Sequence, residues 1–533
     1  MQALKGTLPA TVIPGLVSVI TATHDPLAPF LRETYESLLI QEGVEWEWLV
    51  QFDGESWEPP TWLQHNSRVK VECNGDRLGV AITRNRALTR SCGKFIQTLD
   101  ADDVLLPNAL RAASDILKQG DHAYALGYHL DLMPGGQTQG PKIHLPLGEI
   151  PPGAIADYWY DFCDPPYWGK MPFGPAYVMW RRDVLFAYGG WSALEVGEDT
   201  DLMLAIAEDH PGFYLDQNTL LYRKHEGSAM HSSDYWDIQR PRDHQFIAHR
   251  QRAIRKLKGL PERTNDAFSI PPAEQDLVSV ITPTHDPDSP HLKDAYKGLL
   301  AQGDAIPWEW ILQFDGPEED WVQPQWLGDD TRVKLECNGT HWGFAMTRNR
   351  ALARSRGTLV QTLDADDILL PKALAVGFHA LQIERLMYAV GRVIHLVDGN
   401  PSLEDDHERL PGTGLPFGEI AAGVVPAYRE RYNNLPFFEN AIMWRREALF
   451  AYGGWTALKV SEDSGPLVAA TINHPGIYLD QHTLIYRHHP QSIMHSTNYF
   501  EVEQPRAHRF VAERVKAIKE LKTATKLGRY SVL

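Results

Sequence analysis

The chain has 533 residues, more than one ordinary hydrophobic core holds, and so implies two or more domains. Hydrophobic residues make up 43% and charged residues 23%, with 16 Trp and 20 Tyr, a composition that excludes a disordered chain. Lys and Arg number 51 against 69 Asp and Glu, a formal charge of -18 that argues against a broad nucleic-acid face; 4 Cys make no disulfide framework, and no apolar run is long enough to span a bilayer.

In chain order, Leu16–Thr21 is a continuous apolar run and reads as a strand buried on both faces. A signal peptide is the other reading of Val12–Ala22, but nearly the same string recurs at Leu277–Thr282, in mid-chain, so a buried strand and a cytoplasmic protein are expected. Phe30–Ile40 has helical spacing. Trp46–Phe52 is a second strand, ending at Asp53, and Arg68–Cys73 a third. Val80–Arg90 is a helix, and Lys94–Leu99 a fourth strand running into Asp100. Alternating strands and helices predict an α/β fold with a mostly parallel, doubly wound sheet, in which ligands gather beyond the carboxyl ends of the strands. Cys73 and Cys337 end matching strands and read as small buried residues.

The pattern is written twice. Gln51–Gly54, Thr83–Leu88, Gln97–Asp103 and Phe186–Trp191 recur as Gln313–Gly316, Thr347–Leu352, Gln361–Asp367 and Phe450–Trp455. From Asp100 onward the offset is 264 residues, which is a duplicated domain rather than a solenoid repeat. Each copy closes with a basic amphipathic helix, Arg242–Lys258 and Arg506–Lys522, expected to pack its apolar stripe and solvate its basic face. The expected organisation is an N-terminal domain 1–262, a linker 263–276 rich in Pro, and a C-terminal domain 277–533.

Asp100, Asp102 and Asp103 place three carboxylates at a strand end, and Asp364, Asp366 and Asp367 repeat them. Such a cluster is either a solvated turn or the holder of a hard cation, and a cation there would reverse the local sign for a diphosphate. Glu198-Asp199 and Glu462-Asp463 each follow a Tyr-Gly-Gly-Trp turn. Asp199 reads as a helix N-cap or as a general base. His231 and His495, late in each copy, are packed residues or ligands. The aromatics Tyr158, Tyr160, Phe162, Tyr167 and Trp168, and Tyr428, Tyr432, Phe437 and Phe438, are core or an acceptor site.

In order, these motifs resemble the family 2 glycosyltransferases of the GT-A fold over roughly residues 16–235 and 277–499. The resemblance implies two tandem GT-A domains flanked by helices, and a metal-dependent, inverting transfer from a nucleotide-diphospho sugar, a UDP-sugar being favoured, to a glycan, natural-product or peptide acceptor. It implies one Mn²⁺ or Mg²⁺ per domain. By position it makes Thr23, Asp53, Arg84 and Asp100, with Thr284, Asp315, Arg348 and Asp364, donor-binding. Asp102 and Asp366, with His231 and His495, would be metal ligands, and Asp199 and Asp463 the catalytic bases. The chain departs from the family in the Thr-His-Asp loops 23–25 and 284–286, at Phe52 and Phe314, and where Asp201 becomes Gly465. The last change makes the second copy the one expected to be impaired or to take a different acceptor. The rival readings are one catalytic half, the N-terminal, beside a sugar-nucleotide-binding or scaffolding half, and a sugar nucleotidyltransferase.

Overall fold

The computed structural model describes residues 11–25, 29–140, 145–162, 169–174, 177–225, 234–263, 270, 272–397, 400–402, 414–489 and 498–526. Ten strands in chain order form the first sheet: β1 (Ile13–Thr23), β2 (Trp46–Phe52), β3 (Val69–Cys73), β4 (Gly93–Thr98), β5 (Val104–Leu105), β6 (Tyr124–Leu132), β7 (Thr138–Gln139), β8 (Gly148–Ile150), β9 (Met179–Arg181) and β10 (Gly212–Arg223). The second sheet repeats them as β11 (Glu274–Thr284), β12 (Trp308–Phe314), β13 (Val333–Cys337), β14 (Gly357–Thr362), β15 (Ile368–Leu369), β16 (Tyr388–Val397), β17 (Asn400–Ser402), β18 (Gly418–Ile420), β19 (Ile442–Arg445) and β20 (Gly476–His488). Glu274 opens β11 inside the segment expected as linker.

The order β3-β2-β1-β4-β9-β6-β10-β5 is the same in both copies. β1 to β4 pair in parallel, as their apolar runs predict. β9 then enters antiparallel between β4 and β6, so the sheet is mixed. All seven residues of β2 are buried, including Trp46 and Trp48. Burying each such ring contributes roughly 1.5–3 kcal/mol. Gly93 lets β4 close on β1, because a Cβ there would lie 2.6 Å from the Ser18 backbone nitrogen.

The helix Val80–Arg90 has the bounds its periodicity predicts. The terminal helices, Arg240–Leu257 and Gln504–Lys526, do pack, but each packs on the opposite copy as well as its own. Phe246 meets Phe450 at 5.4 Å between ring centroids, and Phe510 meets Phe186 at 5.3 Å. The basic residues are solvated only in part: Lys256 is exposed, but Arg250 and Arg514 are fully buried. Arg250 pairs with Asp201 and donates to the Tyr188 carbonyl, whereas Arg514 donates to Thr456 Oγ1 and the Tyr452 carbonyl. Among the described residues no helix is long and apolar enough to cross a membrane.

Candidate active site

The carboxyl ends of β1, β2 and β4 bring most of the expected residues together. Thr23 ends β1, and its carbonyl accepts the Asp53 backbone N–H at 2.8 Å. The Asp53 carboxylate accepts from the Asn74 amide at 2.8 Å and from the backbone N–H groups of Leu78 and Gly79 at 2.7 and 3.0 Å. It thereby fixes the loop that opens the helix Val80–Arg90. Asp315 holds Asn338, Trp342 and Gly343 in the same way. Phe52 stacks on Trp57, and Phe314 lies tilted against Trp321, where the family pattern has an acidic residue before this Asp.

Arg84 projects from that helix between two carboxylates. It donates to Asp100 Oδ1 at 2.8 Å and to Glu198 Oε1 at 2.6 Å. Burial alone would lower the guanidinium, but Asp100 and Glu198 outweigh it and raise its affinity for the proton. Arg348 bridges Asp364 and Glu462 identically. Both arginines are therefore engaged by protein carboxylates. Glu198 is pushed up to about 8, by burial first and then by the neighbouring charge of Asp199, with Arg84 opposing.

Asp199 sits one residue inside the helix Glu198–Ala207, whose N-cap is Gly197, so its capping reading does not hold. Among the described residues its carboxylate accepts from the next backbone N–H, that of Thr200, at 2.6 Å, and from the Thr200 hydroxyl at 3.4 Å. Asp463 is the residue before the helix Ser464–Asn473 and makes no side-chain cap. Burial first, then Glu439 beside it, pushes Asp463 up to about 8.

The three acids of each cluster divide their labour. Asp103 is buried and accepts the Arg223 backbone N–H at 2.9 Å; Asp367 accepts that of Arg487 at 3.0 Å. They tie the cluster to β10 and β20, while Asp100, Asp102, Asp364 and Asp366 stay partly exposed. His231 and His495 lie outside the described residues. Two other histidines, which sequence reasoning passed over, reach the clusters. His225 Nε2 shares a 2.8 Å hydrogen bond with Asp102 Oδ2, and His489 Nε2 a 2.6 Å one with Asp366 Oδ2. The signal was their place two residues after an arginine at the end of a strand, at the same 264-residue offset. Oxygens of Asp364, Asp366 and Asp367 all lie within 4.8 Å of one another. Clustered carboxylate oxygens with an imidazole beside them fit Mg²⁺ or Mn²⁺.

The second site carries two groups of its own. The Asn440 amide donates to Asp364 Oδ2 at 2.7 Å, and the Ser464 hydroxyl to Glu439 Oε1 at 2.8 Å. Asn440 and Glu439 line a small cleft with Arg348, Asp463 and Pro466. Of the aromatics, Trp159 and Tyr160 are core, Trp159 stacking on His244 at 4.6 Å, and Phe437 is buried too. Tyr158 with the exposed Phe162, and Tyr428 with Tyr432, form pairs at 4.8 and 4.5 Å. Tyr167 and Trp168 lie outside the described residues. Cys73 and Cys337 are half-buried rather than buried, each donating to the carbonyl of the glycine after the strand-end Asp, Gly54 or Gly316.

Asp201 answers the question its loss raised. It is fully buried, held by Arg250 and Ser192, and belongs to the packing of the terminal helix. In the second copy Thr456 fills its place, since a Cβ on Gly465 would lie 2.0 Å from Thr456 Oγ1. The substitution is thus an exchange in the packing and carries no inference of impaired chemistry.

Two mixed α/β sheets, each gathering acids and an arginine at the ends of parallel strands, define a pair of GT-A folds. The model of glycosyl transferase family 2 matches residues 18–171 and again residues 279–462, and the chain belongs to that family. It is 31% identical over 100 residues to the uncharacterized glycosyltransferase MJ1057 of Methanocaldococcus jannaschii, covering 18% of this chain and 34% of the relative. It is 28% identical over 136 residues to the putative teichuronic acid biosynthesis glycosyltransferase TuaG of Bacillus subtilis, covering 25% and 53%. To the O-antigen biosynthesis protein RfbC of Myxococcus xanthus it is 24% identical over 367 residues, covering 66% and 27%. The chain thus spans between about a quarter and a half of the length of these relatives. Residues 1–349 of S. aureus TarS, solved with UDP-GlcNAc, match at 20% identity and a TM-score of 0.36 over 46% of this chain and 68% of that one.

Proposed function

We propose that each half transfers a sugar from a nucleotide-diphospho sugar, a UDP-sugar by preference, to a hydroxyl of a glycan, natural product or peptide, with inversion at the anomeric carbon. The observation that carries this is the assembly, twice over, of an acid pair, a bridging arginine and a Glu-Asp pair at the end of β4 and of β14. Asp102 with His225, and Asp366 with His489, are the groups that would hold a divalent cation. When bound, it would supply positive charge to the diphosphate of the donor.

The chain's own residues do the rest. Asp53 and Asp315 hold the loop beside the donor's base. Arg84 fixes Asp100 and Glu198 in one geometry and so sets the position of Asp199. Asp199 accepts the proton of the acceptor hydroxyl as its oxygen bonds to the anomeric carbon and the bond from that carbon to the diphosphate breaks. Asp463 serves the second half in the same role.

A second reading leaves only the N-terminal half catalytic, with the other binding the sugar nucleotide. Asn440 on Asp364 and Glu439 near Asp463, both absent from the first half's sequence, favour divergence of the second site.

Incubating the full chain with a panel of nucleotide sugars, Mn²⁺ and candidate acceptors tests the proposal. Release of nucleoside diphosphate together with a glycosylated product supports it. Release of pyrophosphate identifies a nucleotidyltransferase instead, and no turnover with any donor that shifts the melting temperature contradicts it.

A further inference from the structure

The segments that carry the two candidate bases lie side by side. Ser192 and Thr456 form an antiparallel bridge between the copies. Asn85, fully buried and next to Arg84, accepts the Trp191 N–H at 3.0 Å and donates to the Trp191 carbonyl at 2.9 Å. Its amide also donates to the Ala457 carbonyl of the other copy at 3.2 Å. Asn349, next to Arg348, does the same with Trp455 and, across the interface, with the Ala193 carbonyl at 3.2 Å. The Gly-Gly turn exists to admit these amides: Gly190 has φ 68°, and a Cβ there would lie 2.2 Å from Asn85 Oδ1.

A second layer crosses the interface. Glu195, three residues before Glu198, pairs with Arg350 of the other copy and accepts from Gln239 at 2.8 Å. At the matching place in the second copy the charge is reversed, and Lys459 pairs with Asp76. Arg86, the counterpart of Arg350, has not lost its carboxylate, because Glu503 stands where Gln239 does and pairs with it across the interface. Two substitutions have thus moved the acid while keeping each buried arginine matched to the opposite copy. Arg350 also donates to the Asn338 carbonyl at 3.0 Å, and Asn338 holds Asp315. One side chain therefore joins the donor-side loop of the second site to the base-bearing segment of the first.

We infer that the two sites form one unit in which each base segment is completed by the opposite copy, with Arg350 and Asn349 as positioning residues for Asp199 and Asn85 as one for Asp463. This rests on the reading of Asp199 as the base of the N-terminal half. A buried, paired guanidinium sets the segment's position, and catalysis is sensitive to misplacements of about 1 Å. Neither half is then an independent enzyme, and the fusion keeps two unlike halves in register.

The test uses the full chain carrying D366N, which silences the second site, so that all remaining transfer belongs to the first. R350M in that background is expected to lower kcat by about tenfold or more with the donor KM changed less than about twofold. It should also speed amide exchange across residues 192–199, and R350K should restore part of both. E195Q, which leaves Asn338 untouched, is expected to give the same loss of kcat and guards against a misfolded R350M. Unchanged kcat and unchanged exchange in both variants would overturn the inference, as would a fall in melting temperature with kcat intact. Failure of the base reading itself shows separately, as full transfer by D199N, and the exchange measurement still reports whether Arg350 holds the segment.

Discussion

The Ser464 hydroxyl donates to Glu439 Oε1 at 2.8 Å, and this contact holds a third carboxyl near the Glu462-Asp463 pair of the second half. The first half has Pro175 and Ala176 where the second has Glu439 and Asn440, so it has no counterpart. Burial, and then the charge of Glu439, pushes Asp463 up to about 8, with Arg348 opposing and Asp364 adding to the rise. Burial raises Glu439 as well, against the hydrogen bond from Ser464. A base works as the carboxylate, so second-half transfer should rise with pH through about 8. Replacing Glu439 by Gln removes a like charge and should move that limb to lower pH. Profiles of kcat against pH in a D102N background check this, and a limb that stays in place or moves up would contradict it.

The buried pair of Asp201 with Arg250 has no equivalent at Arg514, for which no carboxylate partner exists among the described residues. Burial, and then the charge of Arg250, push Arg514 down to about 9. The two arginines should therefore respond differently to deletion of their charge. R250M leaves Asp201 buried without a cation and should cost about 3–5 kcal/mol. R514M removes a charge that has no carboxylate and should cost distinctly less. Urea unfolding of the two variants measures the difference, and equal losses would contradict it.

His225 and His489 touch the acids proposed as metal ligands. H225N and H489N should each weaken Mn²⁺ binding at their own site by about 10–100-fold, as loss of a ligand or of a ligand's partner does. Calorimetric titration of each variant with Mn²⁺ checks it, and unchanged affinity at both sites would remove the histidines from the account.

The parts of the fold that are local in sequence were legible in advance. The buried strands and the helix Val80–Arg90 announce themselves by apolar runs and helical spacing, and the second writing of each motif separates signal from accident. The strand-end acids follow from the rule that places ligands beyond parallel strands. What could not be read was long-range. The spacing of Ile247 and Ile254 shows that a helix buries a face, but periodicity does not name the surface that covers it, and here much of it is the other copy. Asp201 stands out in the sequence as a family position lost in the second copy, but nothing local shows that its side chain turns inward to Arg250. The place of His231 late in its copy makes it a candidate ligand, but no local pattern shows that His225, two residues beyond β10, makes a 2.8 Å contact with Asp102. Glu195 gives no hint of its partnership with Arg350, because an ion pair across 155 residues leaves no local trace.

The most direct measurement is nucleoside diphosphate release by the wild-type chain, D102N, D366N and the double variant, each with the donor that best stabilises the protein. Each single variant should lose one of two transfer products, and the double variant should release none above background. Release at the wild-type rate by the double variant would contradict the claim that these carboxylates form the two reaction centres.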